Sequence, residues 1–261
     1  MAKLKYTFDD YINNPSGKGS AVKMSSINLD QFEKELIGLE SRNGKVTYKV
    51  YKQNGMKNKI TYYIHFLIPS STKGFFNDVV IQFDSNPDDL QETKSIKKYT
   101  VKFFSNDSNF VYTYVYSFKS HGLLIKDLEG LLPFRSLNNK PVTRNPDNAM
   151  GYNKDIIFSY ITMTKNNLFL KENLNRICLM KDVSTIKRSI LPFDKKIQER
   201  NKITQELKDA AKKEKQNVNK NKIIKSKNLT NQSSNKPKVS KIVNSVRKVS
   251  KSTITMKKPK K

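Results

Sequence analysis

A chain of 261 residues with 50 Lys or Arg, 23 Asp or Glu and a net charge of +27 is long enough for one or two domains. Its charge points to a polyanion as partner and away from a cationic one. A single cysteine excludes an intrachain disulfide framework; no window approaches the ~18 apolar residues of a membrane span, and residues 1–11 lack the apolar core of a signal peptide.

Residues 1–26 are polar and punctuated by Asn14-Pro15 and Gly17-Lys18-Gly19, which predicts a flexible arm. Asn28 is a candidate N-cap, and Leu29, Phe32, Leu36 and Leu39 recur at helical spacing until Gly44. The period then changes to two. Lys45–Gln53 alternates Val46, Tyr48 and Val50 against Lys45, Thr47 and Lys49, as a half-buried strand does. Asn54-Gly55 is a hairpin signal, and further strands are predicted over 59–68 (ended by Pro69), 78–83, 98–104 and 110–118. Short connections favour an antiparallel meander. Beyond it, helices are predicted over 122–132, 152–164 and 166–180.

The resulting fold class is α+β: an N-terminal helix, a five-stranded antiparallel meander, a C-terminal helical cluster and a disordered basic tail. The expected boundaries are an arm at 1–26, a globular domain at 27–193, a charged helix or linker at 194–214 and a tail at 215–261. Phe193 is the last aromatic residue, so nothing after it supplies the large rings that core building relies on.

Catalytic signals are poor, and no enzymatic role, cofactor or metal is expected. His65 falls within a strand and His121 at a helix start, neither at metal-ligand spacing from another His or Cys. Asp9-Asp10 and Asp88-Asp89 are acidic pairs of the kind that can hold Mg²⁺, but solvated turns use such pairs too. Pro15–Ser20 is glycine-rich around Lys18. It lacks the first Gly of a P-loop, has Gly19 where Ser or Thr belongs and follows no strand. Cys178, in the apolar run 174–179, reads as a buried small hydrophobe. The run 110–118 places Phe110, Tyr112, Tyr114, Tyr116 and Phe118 on one strand face; the favoured reading is a core face, the alternative a platform for stacking single-stranded bases. The other face, Val111 to Ser117, is expected to be half exposed or lightly covered.

The tail carries the clearest functional signal. Residues 215–261 contain 15 Lys or Arg and no Asp or Glu. Lys and Asn are abundant throughout, as AT-rich coding would also produce, but coding bias does not readily make so long a stretch without an acid. The chain has 43 Lys and 7 Arg. Lys is a compact, mobile charge suited to phosphate, whereas Arg is the planar fork that reads base edges. The residues assigned to phosphate contact are Lys212, Lys213, Lys215, Lys220, Lys222, Lys225, Lys227, Lys236, Lys238, Lys241, Arg247, Lys248, Lys251, Lys257, Lys258, Lys260 and Lys261. The expected partner is nucleic acid, DNA ahead of RNA, bound without sequence preference.

The stretches 10–22 (DYINNPSGKGSAV), 78–83 (DVVIQF), 101–116 (VKFFSNDSNFVYTYVY) and Arg144-Asn145-Pro146 together resemble an uncharacterised family of tailed-bacteriophage proteins from low-GC Gram-positive hosts. The resemblance covers residues 1–175 and leaves out the tail. That family has no assigned activity, so the resemblance implies a setting, the infected host cytoplasm or the virion, and no residue roles. A phage protein partner fits the same setting, and a virion structural or head-assembly component contacting packaged DNA or an acidic partner is the alternative role.

Overall fold

The computed structural model describes residues 6–13, 23–56, 59–85 and 94–232. Two units are distinguished, Met1–Leu207 and Lys208–Lys261, so the unit boundary falls inside the segment expected to be a charged helix or linker. The first unit is α+β. Its elements in chain order are α1 (Phe8–Asn13), α2 (Leu29–Asn43), β1 (Thr47–Asn54), β2 (Ile60–Pro69), β3 (Phe76–Asp84) and β4 (Thr100–Ser105). A π-helical segment (Phe110–Tyr114) then leads into α3 (Val115–Ser120), followed by α4 (Phe134–Asn138), α5 (Lys154–Lys165), α6 (Lys171–Ile177), β5 (Leu179–Met180), α7 (Val183–Ser189) and the start of α8 (Phe193–Gln232).

Helix α2 begins where its cap signal lies: the Asn28 side chain accepts a hydrogen bond from the Gln31 amide, and Gly44 closes the helix at a φ of 103°. The sheet order is β4-β3-β2-β1-β5. The four strands β1 to β4 form the antiparallel meander, in registers such as Val50 opposite Ile64 and Ile64 opposite Ile81. The fifth strand is two residues long and parallel to β1, so the sheet is mixed. Pleat alternation sorts the side chains. Tyr62, Ile64, Phe66, Val79, Ile81, Phe83 and Phe103 are fully buried on the face where α5 packs on β2 and β3, with α2 against α5 and β2.

The expected fifth strand is helical. Asp107 explains why: its carboxylate accepts hydrogen bonds from the Asn109 and Phe110 amides at 3.0 and 3.1 Å, and its carbonyl accepts from the Val111 amide, which nucleates a turn. The helix spreads the alternating rings around its axis. Phe110 and Phe118 are buried, as are Val111, Thr113, Val115 and Ser117, which were expected to be lightly covered. A segment apolar all round can serve as a buried helix as well as a strand. Phe118 meets the rings of Tyr11, Phe103 and Phe110 within 5.9 Å between centroids.

Other expectations are corrected in part. Residues 8–13 of the expected arm form α1, with Phe8 and Tyr11 fully buried against Phe103; residues 14–22 lie outside the described residues. The helix expected over 122–132 is a short pairing of Leu124 with Phe103 and a 3₁₀ turn, Lys126–Leu131. The helix expected over 166–180 shortens to α6 and gives way to β5. Helix α8 runs to Gln232 and so enters the segment 215–261 that was expected as tail. The local composition explains this, because Ala210-Ala211 and many Lys are good helix formers and no Gly or Pro occurs between 193 and 236. Residues 233–261 lie outside the described residues.

Candidate nucleic-acid interface and the buried polar network

The sequence-assigned cations divide three ways. Lys212 and Lys213 are solvent-exposed on α8. Lys215, Lys220, Lys222, Lys225 and Lys227 fall on its later turns. Lys236, Lys238, Lys241, Arg247, Lys248, Lys251, Lys257, Lys258, Lys260 and Lys261 lie outside the described residues. An α-helix rises only 1.5 Å per residue, so its backbone sets successive residues of this Lys-rich segment close together along the axis.

The remaining candidates resolve into structure. His65 is buried in β2, with Nε2 at 2.9 Å from Asp78 Oδ1. The ring nitrogen Nδ1 of His121 lies 2.8 Å from the Ser117 carbonyl oxygen. Asp10 caps its own turn through Thr7, and Asp9 pairs with Lys98 at 3.6 Å. Asp88, Asp89 and the Pro15–Ser20 loop lie outside the described residues. Cys178 is partly buried and packs against the core, short of the full burial expected. Among the described residues no group of three or more His, Cys, Asp or Glu could hold a metal ion.

Sequence reading missed a buried polar network at the start of β3. The second sheet face carries Thr61, His65, Asp78, Gln82 and Asp84, all buried. Asp78 contacts His65, accepts a hydrogen bond from Asn106 Nδ2 at 2.7 Å and lies 4.0 Å from the Lys196 ammonium. Lys196, in the first turn of α8, also donates to Asn106 Oδ1 and sits 5.2 Å from the Phe75 ring centre. Burial lowers its pKa to about 8, against the pull of Asp78, Asp155 and Asp107. Because β3 alternates, Asp78 and Asn77 point to opposite faces. Asn77 donates to Asp155 Oδ2 at 2.8 Å, and Asn153, the N-cap of α5, donates to Asp107 Oδ2 at 2.9 Å.

Asp155 is the most perturbed carboxyl of this network. Burial raises its pKa to about 7, with the negative charge of Asp107 adding to the shift and Asn77, Lys196 and Lys154 opposing it. Asp84 shows the contrary balance. Burial alone would raise it, but hydrogen bonds from Gln82 and Thr61 and the charges of Lys59 and Lys102 together hold it below the usual carboxylate range. Asn77, Asp107, Asp155, Arg144 and Arg200 line a cleft of about 330 Å³. A near-neutral acid beside a cleft is a feature that functional sites share with structural ion networks. Here every partner is a neighbouring element, and the links tie β3, α5 and the start of α8 together.

A second surface feature is a groove of about 440 Å³ lined by Tyr112, Arg135, Ser136, Lys140 and Val142 among others. The local motif behind it is 133–144, with three basic residues and no acid.

The fold and its charges define a class: an α+β domain followed by a Lys-rich basic segment. No protein-family model, curated protein or solved structure matches the chain. Among the described residues, no helix is long and apolar enough to cross a membrane.

Proposed function

We propose that this protein binds nucleic acid without sequence specificity through the Lys-rich segment that begins on α8. The observation that carries the reading is the run of 15 Lys or Arg without a single carboxylate in residues 215–261. The exposed Lys212 and Lys213 lie just before this run on the same helix, separated from it by Glu214. Such a segment neutralises phosphates and releases condensed counterions, and it is indifferent to sequence because Lys reads charge and not base edges. DNA in an infected bacterial cytoplasm or in a virion is the setting that the phage-family resemblance of residues 1–175 supports.

The test is a salt titration of the full chain and of a chain ending at residue 214, on two unrelated duplexes. If about six lysines engage phosphates, raising salt from 50 to 200 mM weakens binding on the order of 10³-fold. The shortened chain loses most of that dependence, and both duplexes bind equally. Equal binding by the full and shortened chains refutes the reading.

A further inference from the structure

The helical course of residues 110–120 leaves one ring of the expected aromatic face largely outside. Tyr112 is 49% exposed, while Phe110 and Phe118 are buried. Its ring lies nearly perpendicular to that of the buried Phe193, at 83° and 5.6 Å between centroids. A tyrosine braced in this way has few rotamers to lose when something stacks on it. The groove beside it offers Arg135 and Lys140, Ser136 and Val142, and no carboxylate lines it. Among the described residues neither Arg135 nor Lys140 has a side-chain hydrogen bond or ion pair. Two large apolar side chains nearby in sequence stand in solvent, Phe134 at 81% and Val142 at 86% exposed. Exposed rings and aliphatics flanked by free cations, without acids, are the makings of a single-strand platform: aromatic faces accept any base, and the cations track the backbone.

We propose that this groove takes an unpaired nucleobase of a single strand, stacked on Tyr112, with the flanking phosphates against Arg135 and Lys140. This deepens the nucleic-acid reading of the Lys-rich segment and rests on it, but it adds a distinct property. The basic segment recognises charge in any nucleic acid, whereas the groove recognises bases freed from a duplex. Its volume lies within the ~300–1,000 Å³ of sites that hold small ligands. An acidic peptide would satisfy the cations but would leave the tyrosine face and Val142 without a flat apolar partner, so charge and shape together favour the base.

The experiment uses the full chain, an oligothymidine single strand and a duplex of equal length. Affinities are compared for the native protein, Tyr112→Ala, Tyr112→Phe and the double variant Arg135→Ala/Lys140→Ala, with circular dichroism confirming the fold of each. Tyr112→Ala is expected to weaken single-strand binding about 5- to 150-fold, the range for loss of one stacked base. Duplex affinity is expected to stay within ~2-fold, since duplex bases are not free to stack; Tyr112→Phe retains single-strand binding, and the double variant weakens it. Photo-crosslinking with a bromodeoxyuridine-substituted strand is expected to mark the peptide containing Tyr112.

The proposal is overturned by unchanged single-strand affinity in Tyr112→Ala, by an equal loss on duplex, or by crosslinks confined to the Lys-rich segment. Displacement of the strand from the groove by polyglutamate, with Tyr112 needed for the polyglutamate contact, would make the surface a protein-docking site and also overturn it. The two readings fail separately. Strand binding that ignores Tyr112 but vanishes on removal of residues 215–261 sinks only the groove. A Tyr112-dependent preference that survives that removal, with no change in salt dependence, sinks only the basic segment.

Discussion

Asp155 offers a sharp test of how the buried network is held. Its carboxyl is buried at the first turn of α5 and accepts one hydrogen bond from Asn77. The groups around it are Asp107, which disfavours its charge, and Lys196 and Lys154, which favour it. Moving a carboxyl from its usual 3.8 to about 7 corresponds to roughly 4 kcal/mol between its two protonation limits. The folded pKa lies above the unfolded one. Between about pH 4 and 7 the folded state therefore holds a proton that the unfolded chain has lost, and this group's contribution to stability falls as pH rises through that window. Above about pH 7 the loss is complete. Asp155→Asn keeps the acceptor for Asn77 and removes the charge. The variant is expected to match the native protein near pH 3.5 and to be more stable by about 2–4 kcal/mol at pH 7.5. Urea unfolding of both proteins across this range checks it, because every other titrating group cancels in the difference to first order. A variant less stable than the native protein at pH 7.5 would refute the reasoning. It would mean that the attraction of the Lys196 and Lys154 charges outweighs the cost of burying the charge of Asp155.

Three further outcomes follow from packing. Phe118→Ala removes a fully buried ring from a cluster with Tyr11, Phe103 and Phe110 and is expected to cost about 3–5 kcal/mol in denaturant unfolding, whereas Tyr112→Ala costs about 1 kcal/mol because half of that ring is already in water. Gly151→Ala would bring a methyl within 3.0 Å of the Tyr114 ring; calorimetry should show a loss of about 1–3 kcal/mol, and an unchanged midpoint would show that Tyr114 moves freely. Asn153→Ala removes both the cap of the Asp155 amide and the bond to Asp107, and is expected to cost about 2 kcal/mol by the same assay.

Much of the first unit was legible in the residues. The helix from Leu29 and the strands from Thr47, Ile60, Phe76 and Thr100 follow from periods of 3.6 and 2 sustained over many positions. The segment 110–118 misled because two local signals disagreed. Its β-branched and aromatic alternation spoke for a strand, while Asp107, three residues upstream of Phe110, spoke for a helix start, and the helix signal won. The polar network was not legible. Asp78 and Asn106 are 28 residues apart, and Asn106 and Lys196 are 90 apart; nothing in the spacing of single Asp, Asn and Lys residues marks them as partners.

The sequence by itself determined where the aromatic rings end, at Phe193, and where the cations gather, because composition and charge need no partner to be read. It also determined the four meander strands, whose alternation is a local property of the chain. Only the tertiary structure decided that α1 belongs to the core and that β5 joins the sheet in parallel. It also decided that Asp155 is held near neutrality and that Tyr112 alone of the exposed rings is braced against Phe193. Each of these depends on which distant surfaces meet, and burial, desolvation and ring contact arise only when they do.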